Sequence, residues 1–181
     1  MELTHYFEVS AFDGSESNAP DALALGIQMF HRANTMQSFA IAFPDMERDL
    51  TGTRLRVFSS SADHLQALSR FAKSRGLSEV LEFGDIQAVP AHQSVEYFKH
   101  FRVKSENKKY LPGKKPSDEY FAEQYKLLRA MPYIWMSSKS SSSKFRSYIS
   151  RVKQLESSMV VGEPNSYGLS STRNMVAIPV F

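Results

Sequence analysis

"TRLRVFSSSADHLQALSRFAKSRGLSEVLEFGDIQAVP", residues 53–90, is the stretch on which the fold turns. It opens on an alternating run. Leu55 and Val57 fall on one side and Arg54 and Arg56 on the other, the period of a half-buried strand. The period then changes. Over 60–76, Leu65, Leu68 and Phe71 recur at helical spacing, a serine can cap the start, and Gly76 stands as a natural C′ residue. "EVLEFGDIQAVP" (79–90) returns to a strand, with a bend expected at Gly84.

Toward the N-terminus the same alternation of elements appears. "LTHYFEVSAF" (3–12) mixes β-branched and aromatic residues and reads as a strand. "PDALALGIQMFHRAN" (20–34) starts near Pro20 and keeps Leu23, Ile27, Phe30 and Asn34 in helical register. "SFAIAFP" (38–44) alternates, with Phe39, Ile41 and Phe43 on one face. The order is therefore β-α-β-β-α-β, the ferredoxin-like arrangement of a sheet with two helices on one face. Many RNA-binding domains use it, but the aromatic signature of the RRM strands is missing here. Fold alone does not give function.

After Pro90 the character changes. "VEYFKHFRVK" (95–104) alternates as a strand, with Phe98, His100, Arg102 and Lys104 on one face and Tyr97, Lys99, Phe101 and Val103 on the other. "SENKKYLPGKKPSDE" follows, where Pro112, Gly113 and Pro116 oppose a continuous helix. A helix is expected from a Ser117 cap to about Met131, with Asp118 and Glu119 in its favourable first turn. "YIWM" and "KFRSYISRV" read as strands, "NSYGLSS" as a turn, and "MVAIPVF" as a final strand. The fold class is α+β: a ferredoxin-like domain over 1–92, then a smaller mixed α/β domain over 93–181.

Composition bounds the chemistry. The 181 residues carry a net charge of +3, unevenly spread. Residues 1–95 hold 7 Lys/Arg and 12 Asp/Glu; residues 96–181 hold 15 and 7. A basic second half suits a polyanion, and otherwise reads as a solvated basic face. Cysteine is absent, so no disulfide or thiolate metal site exists. A reducing cytoplasm is the default expectation. No apolar run approaches the length of a membrane span, and the N-terminus lacks the pattern of a signal peptide.

No HExxH, CxxC, Walker loop or GxSxG occurs, and the carboxylates do not cluster as a two-metal nuclease requires. His, Ser, Tyr, Lys and Arg remain. That set suits RNA cleavage, because RNA carries its own nucleophile, the 2′-OH. An enzyme need only orient that hydroxyl, take its proton and stabilise charge on the phosphate and the leaving oxygen. The run "MSSKSSSSKFRSY" (136–148) packs six serines into residues 137–143. By composition it is a linker; between two strands it is equally a loop that grips phosphate.

Several stretches, in order, carry a resemblance: "HYFEVS", "FAIAFPDM", "LRVFSSSADHLQAL", "LEFGDIQAVP", "FRVKS", "SSKSSSSKFR" and "SYGLSSTRNMVAIPVF". Together with a His on the first helix, they resemble the CRISPR-repeat endoribonuclease of type I-F systems across nearly the whole chain. The resemblance implies a ferredoxin-like N-terminal half and a C-terminal half that grips RNA. It implies metal-independent cleavage just 3′ of a hairpin stem in precursor CRISPR RNA, leaving a 2′,3′-cyclic phosphate and a 5′-OH, with no cofactor. The enzyme would be a monomer when free. It would then stay on the hairpin among the other subunits of the surveillance complex.

Residue by residue, the resemblance implies that His31 is the general base or acid. Ser138 would hold the 2′-OH, with Ser137 as the alternative, and Tyr167 would stand beside the histidine. Ser140 and Ser141 match positions at the phosphate or ribose near the scissile bond. Phe145 matches an aromatic that stacks on the last base pair; its other reading is an inward strand residue. Arg146 leaves the same loop. His100 and Arg102 match a pair that reads base edges at the bottom of the stem, although His100 stands where a longer cation is expected. Lys104 would go to phosphate. One departure is plain: the family's arginine-rich helix is replaced by a short segment carrying Lys108, Lys109, Lys114 and Lys115. Lysine is a point charge without the bidentate fork of arginine, so phosphate contacts are expected there. Two rival readings keep the fold: a hairpin-binding subunit without catalysis, and a protein-interaction module with the serine run as a tether.

Overall fold

The computed structural model describes residues 1–12, 18–33, 37–101, 114–137, 144–154, 160–171 and 174–181. The first half contains β1 (His5–Ala11), α1 (Ala19–Ala33), β2 (Ala40–Ala42), β3 (Arg54–Ser59), α2 (Ala62–Ser74), β4 (Leu81–Phe83) and β5 (Gln87–Ala88). The sheet runs β2-β3-β1-β4, with β5 also on β1 and every pairing antiparallel. This is the ferredoxin-like strand order expected from the alternation of elements.

Each element follows from its residues. In β1, Phe7 and Val9 are fully buried and alternate with half-exposed Tyr6, Glu8 and Ser10. α1 turns Leu23, Ile27 and Phe30 into the core. Phe30 meets Phe7 and Phe39 edge to face, at ring distances of 5.9 and 6.2 Å. Truncating such a side chain costs about 3–5 kcal/mol, so this ring cluster fixes the rotation of α1. α2 is capped by Ser61, whose side chain accepts from the His64 N–H, and Gly76 just past its end takes the left-handed φ of +83°.

The boundaries differ from the expected ones in instructive ways. The strand over 38–44 narrows to three residues, since Phe43 and Pro44 leave the sheet. The strand over 79–90 is divided. A 3-10 turn (Leu77–Glu79) precedes β4, and the chain breaks the ladder at Gly84 before β5 resumes on β1. Gly84 bends at the expected place, with its N–H still bonded to the Glu8 carbonyl at 2.9 Å.

The second half builds another sheet from β6 (Ser94–Phe101), β7 (Tyr133–Ser137), β8 (Lys144–Val152) and β11 (Ile178–Val180), in the order β11-β6-β8-β7. α3 (Asp118–Arg129) starts on Ser117, whose side chain accepts from the Tyr120 N–H, as expected. The final segment is two short strands rather than one: β10 (Asn174–Met175) pairs in parallel with β9 (Val160–Val161) before β11. One apolar cluster runs from Phe7 and Phe30 in the first half to Ile134, Ile149 and Ile178 in the second. α1 packs on β7, and Phe98 of β6 packs on Phe43 at 5.9 Å between ring centres. No helix among the described residues is long and apolar enough to cross a membrane.

Candidate active site

His31 sits in the last turn of α1, directly after the buried Phe30. It is half-exposed, and its Nδ1 lies 2.9 Å from the carbonyl oxygen of Ser166. A carbonyl can only accept, so Nδ1 carries the hydrogen and donates it. In the neutral ring the lone pair is then on Nε2, the nitrogen left free to take a proton. The Tyr167 ring lies over the imidazole, with centres 4.3 Å apart and planes 32° apart.

The turn that supplies these partners is tightly made. Asn165 accepts from the Gly168 N–H on its carbonyl and from the Tyr167 and Leu169 N–H groups on its side chain. Gly168 has φ +79°, and a Cβ there would stand 2.7 Å from the Phe39 ring. Only glycine satisfies both demands. Its carbonyl accepts from the Ile41 N–H at 2.9 Å, fastening the turn to the first sheet.

The β7–β8 hairpin approaches the same side of α1. Ser137 pairs with Lys144 at its end, just where residues 138–143 begin and stop. Ser137 and Lys144 share a cavity of about 620 Å³ with Trp135 and Met136 of β7 and with Asp21, Leu25 and Gln28 of α1. Gln28 precedes His31 by three residues, so the two are neighbours on one helical face.

The remaining expected residues are distributed as follows. Ser138, Ser140, Ser141, Arg102, Lys104, Lys108 and Lys109 lie outside the described residues. Phe145 pairs with Met136 on the inward side of the hairpin and is half-buried against the core. Arg146 is on the opposite, exposed face. Its guanidinium lies over the rings of Tyr133 and Trp135, at 4.7 and 5.0 Å from their centres. A hydrogen bond to Tyr148 raises its pKa further, so it remains a fixed cation. His100 is half-buried in β6, beside buried Phe98, and its N–H donates to the Ser170 carbonyl at 3.1 Å. Lys114 and Lys115 are exposed where the chain enters α3. Among the described residues no group of three or more His, Asp or Glu could hold a metal ion.

Two features were missed by sequence reasoning. The Ser166 carbonyl is a backbone group, and no side chain announces it. The Tyr133–Trp135–Arg146–Tyr148 face was legible in principle, as the outward positions of two alternating strands.

The comparison with known sequences puts the chain among CRISPR-associated proteins. Residues 6–181 match the family CRISPR-associated protein (Cas_Csy4), and the chain belongs to that family. It is similar to the CRISPR-associated endonuclease Cas6/Csy4 of Escherichia coli (strain UTI89 / UPEC), at 28% identity over 181 residues. That alignment takes in 94% of this chain and 97% of its relative. A solved structure titled "An RAMP protein binding different RNA substrates" aligns at 12% identity and a TM-score of 0.37, over 98% of this chain and 100% of that one. So distant a likeness carries no argument.

Proposed function

We propose that the protein is a metal-independent endoribonuclease that recognises the repeat hairpin of precursor CRISPR RNA and cuts just 3′ of the stem. His31 Nε2 takes the proton of the 2′-OH. The 2′-oxygen attacks the adjacent phosphorus, the bond from phosphorus to the 5′-oxygen breaks, and that oxygen takes a proton from solvent water, to which the imidazolium returns its own. The products are a 2′,3′-cyclic phosphate and a 5′-OH. Ser138 holds the attacking hydroxyl, and Ser140 and Ser141 meet phosphate or ribose. Tyr167 holds the imidazole plane. Phe145 meets the last base pair with its half-exposed edge.

The observation that carries this reading is the hydrogen bond from His31 Nδ1 to the Ser166 carbonyl. It supports a base with a defined tautomer. After proton transfer the imidazolium keeps the same bond, so no rearrangement accompanies the step. Family membership supports CRISPR RNA as the substrate class, and the basic second half suits its phosphates. His100, Arg102, Lys104 and the lysines at 108, 109, 114 and 115 complete the grip on the stem. The monomer then remains on the product hairpin as a subunit of the type I-F surveillance complex.

One experiment tests the reaction. The protein is incubated in EDTA with a repeat hairpin RNA, with the same RNA carrying a 2′-deoxy at the cleavage position, and as His31→Ala. Cleavage of the normal RNA alone, by wild type alone, is expected. A need for added metal, or cutting of the deoxy substrate, overturns the mechanism. A wild-type rate in His31→Ala overturns the base. Tight hairpin binding without cleavage would instead mark a non-catalytic subunit.

A further inference from the structure

The outer face of the β7–β8 hairpin presents three cross-strand pairs: Tyr133 with Tyr148, Trp135 with Arg146, and Ser137 with Lys144. Alternation sends the intervening Ile134, Met136, Ser147 and Ile149 inward, where all four are buried. Of the outward set, Tyr133 and Tyr148 are half-buried and the other four are exposed. Trp135 is 38% exposed and Arg146 and Lys144 are exposed. An open indole beside two cations offers a π-face and positive charge together.

Two cavities are lined in part by residues of this face. The one of about 620 Å³ holds Ser137, Lys144 and Trp135 beside α1. The other, about 470 Å³, is lined by Tyr133, Arg146 and Tyr148 of the hairpin and by Tyr125 and Arg129 of α3. Trp135 borders the first, and the Arg146 guanidinium stacked on it borders the second. The Trp135–Arg146 contact is the link between them, and the track it defines leads from the start of the serine run toward α3. Its cations are Lys144, Arg146 and Arg129, against one carboxylate in each cavity, Asp21 and Asp49.

We propose that this track binds single-stranded RNA flanking the hairpin, with Trp135, Tyr133 and Tyr148 stacking bases and Arg146 and Arg129 meeting phosphates. Alternating π-faces and cations along one groove are the chemistry that holds unpaired nucleotides without reading their sequence. The track starts at Ser137 and Lys144, so RNA emerging from the cleavage position would meet Trp135 next. The inference rests on the proposed RNA cleavage reading. It adds a second contact region, separate from the grip on the stem.

Trp135 is the chain's one tryptophan, so its fluorescence reports stacking directly. The test uses the full chain as His31→Ala, which keeps the RNA whole. Three probes are titrated: a blunt repeat hairpin, and the same hairpin with an unpaired extension of about eight nucleotides on its 3′ or its 5′ side, within the range one stacking platform covers. We expect one extension to quench Trp135 and to tighten binding on the order of tenfold. Trp135→Ala should abolish that gain and shift blunt-hairpin affinity less than about twofold; Trp135→Phe should restore most of it. The arm that responds identifies which flank occupies the track. If the blunt hairpin binds but neither extension changes fluorescence or affinity, the track is wrong and the nuclease reading survives. If no hairpin binds, the underlying reading fails. Quenching by another protein and by no RNA would overturn the proposal in favour of a protein interface.

Discussion

The carbonyl of Ser166 fixes which nitrogen of His31 carries hydrogen, across 2.9 Å and 135 residues of sequence. A main-chain oxygen does what a carboxylate does in other histidine sites. It sets the tautomer without placing a negative charge beside the ring. Tyr167, next in the chain, covers the ring at 4.3 Å.

The division of labour at this pair is testable. Tyr167→Phe preserves the ring over His31 and should cut within about threefold of wild type, whereas Tyr167→Ala should lose about tenfold or more through misplacement of the imidazole. His31→Ala should lose on the order of 10²–10⁴-fold, the usual contribution of a general base. Single-turnover cleavage rates with saturating enzyme measure all three. A large loss in Tyr167→Phe would assign a role to the hydroxyl.

Gly168→Ala places a Cβ 2.7 Å from the Phe39 ring at a φ of +79°. We expect a stability loss of about 1–3 kcal/mol. Cleavage should fall too, because Ser166 and Tyr167 belong to the same turn. Thermal melting read beside single-turnover kinetics would show both, and an unchanged rate would mean that the turn does not position His31.

Glu96 is nearly buried, and Arg151 donates to it from Nε at 2.7 Å while also reaching the Met46 carbonyl at 3.3 Å. The pair ties β6 and β8 to the loop after β2. Glu96→Ala leaves a half-buried guanidinium without its partner and should cost about 2–3 kcal/mol, below the range for fully buried pairs. Chemical denaturation measures the loss.

Stability should fall in two stages on acidification. Burial holds His64 below its usual 6.5, so the native state binds fewer protons than the unfolded chain once pH drops under that value. Its contribution is complete above 6.5 and declines as pH falls toward the folded-state pKa. The hydrogen bond from Arg54 holds Asp45 below 3.8, so its contribution is present above 3.8 and is lost as pH falls through the folded-state value. Melting temperature against pH should show both stages, and His64→Gln should flatten the first. Partial exposure keeps each below about 1 kcal/mol.

The elements of the first half were legible because their burial alternates cleanly. Phe7 and Val9 show a period of two, and Leu23, Ile27 and Phe30 a period near 3.6. A serine cap was legible at the start of each of α2 and α3, and Ser61 and Ser117 fill those places. β9 was not, because two residues contain no period. The split of the last strand was hidden because "MVAIPVF" is apolar throughout and says nothing of where pairing changes partners. At the site, His31 was singled out by the family resemblance and not by composition or spacing. Its partner could not be named, since a carbonyl is common to every residue. Nor could the pairing of Trp135 with Arg146 be read, because the alternation fixes the outward faces of both strands and leaves the register between them free.

That long reach from α1 to the 165–168 turn also bears on when the protein becomes dangerous to RNA. A nascent chain has made α1 long before residue 166 leaves the ribosome. Until then its histidine has no carbonyl to set the tautomer and no tyrosine over the ring. The Ile41 N–H donates to the Gly168 carbonyl, which ties the turn to the first sheet. With His31 as the proposed base, competence to cut requires the 165–168 turn, and fragments that end before it lack the groups that position the ring.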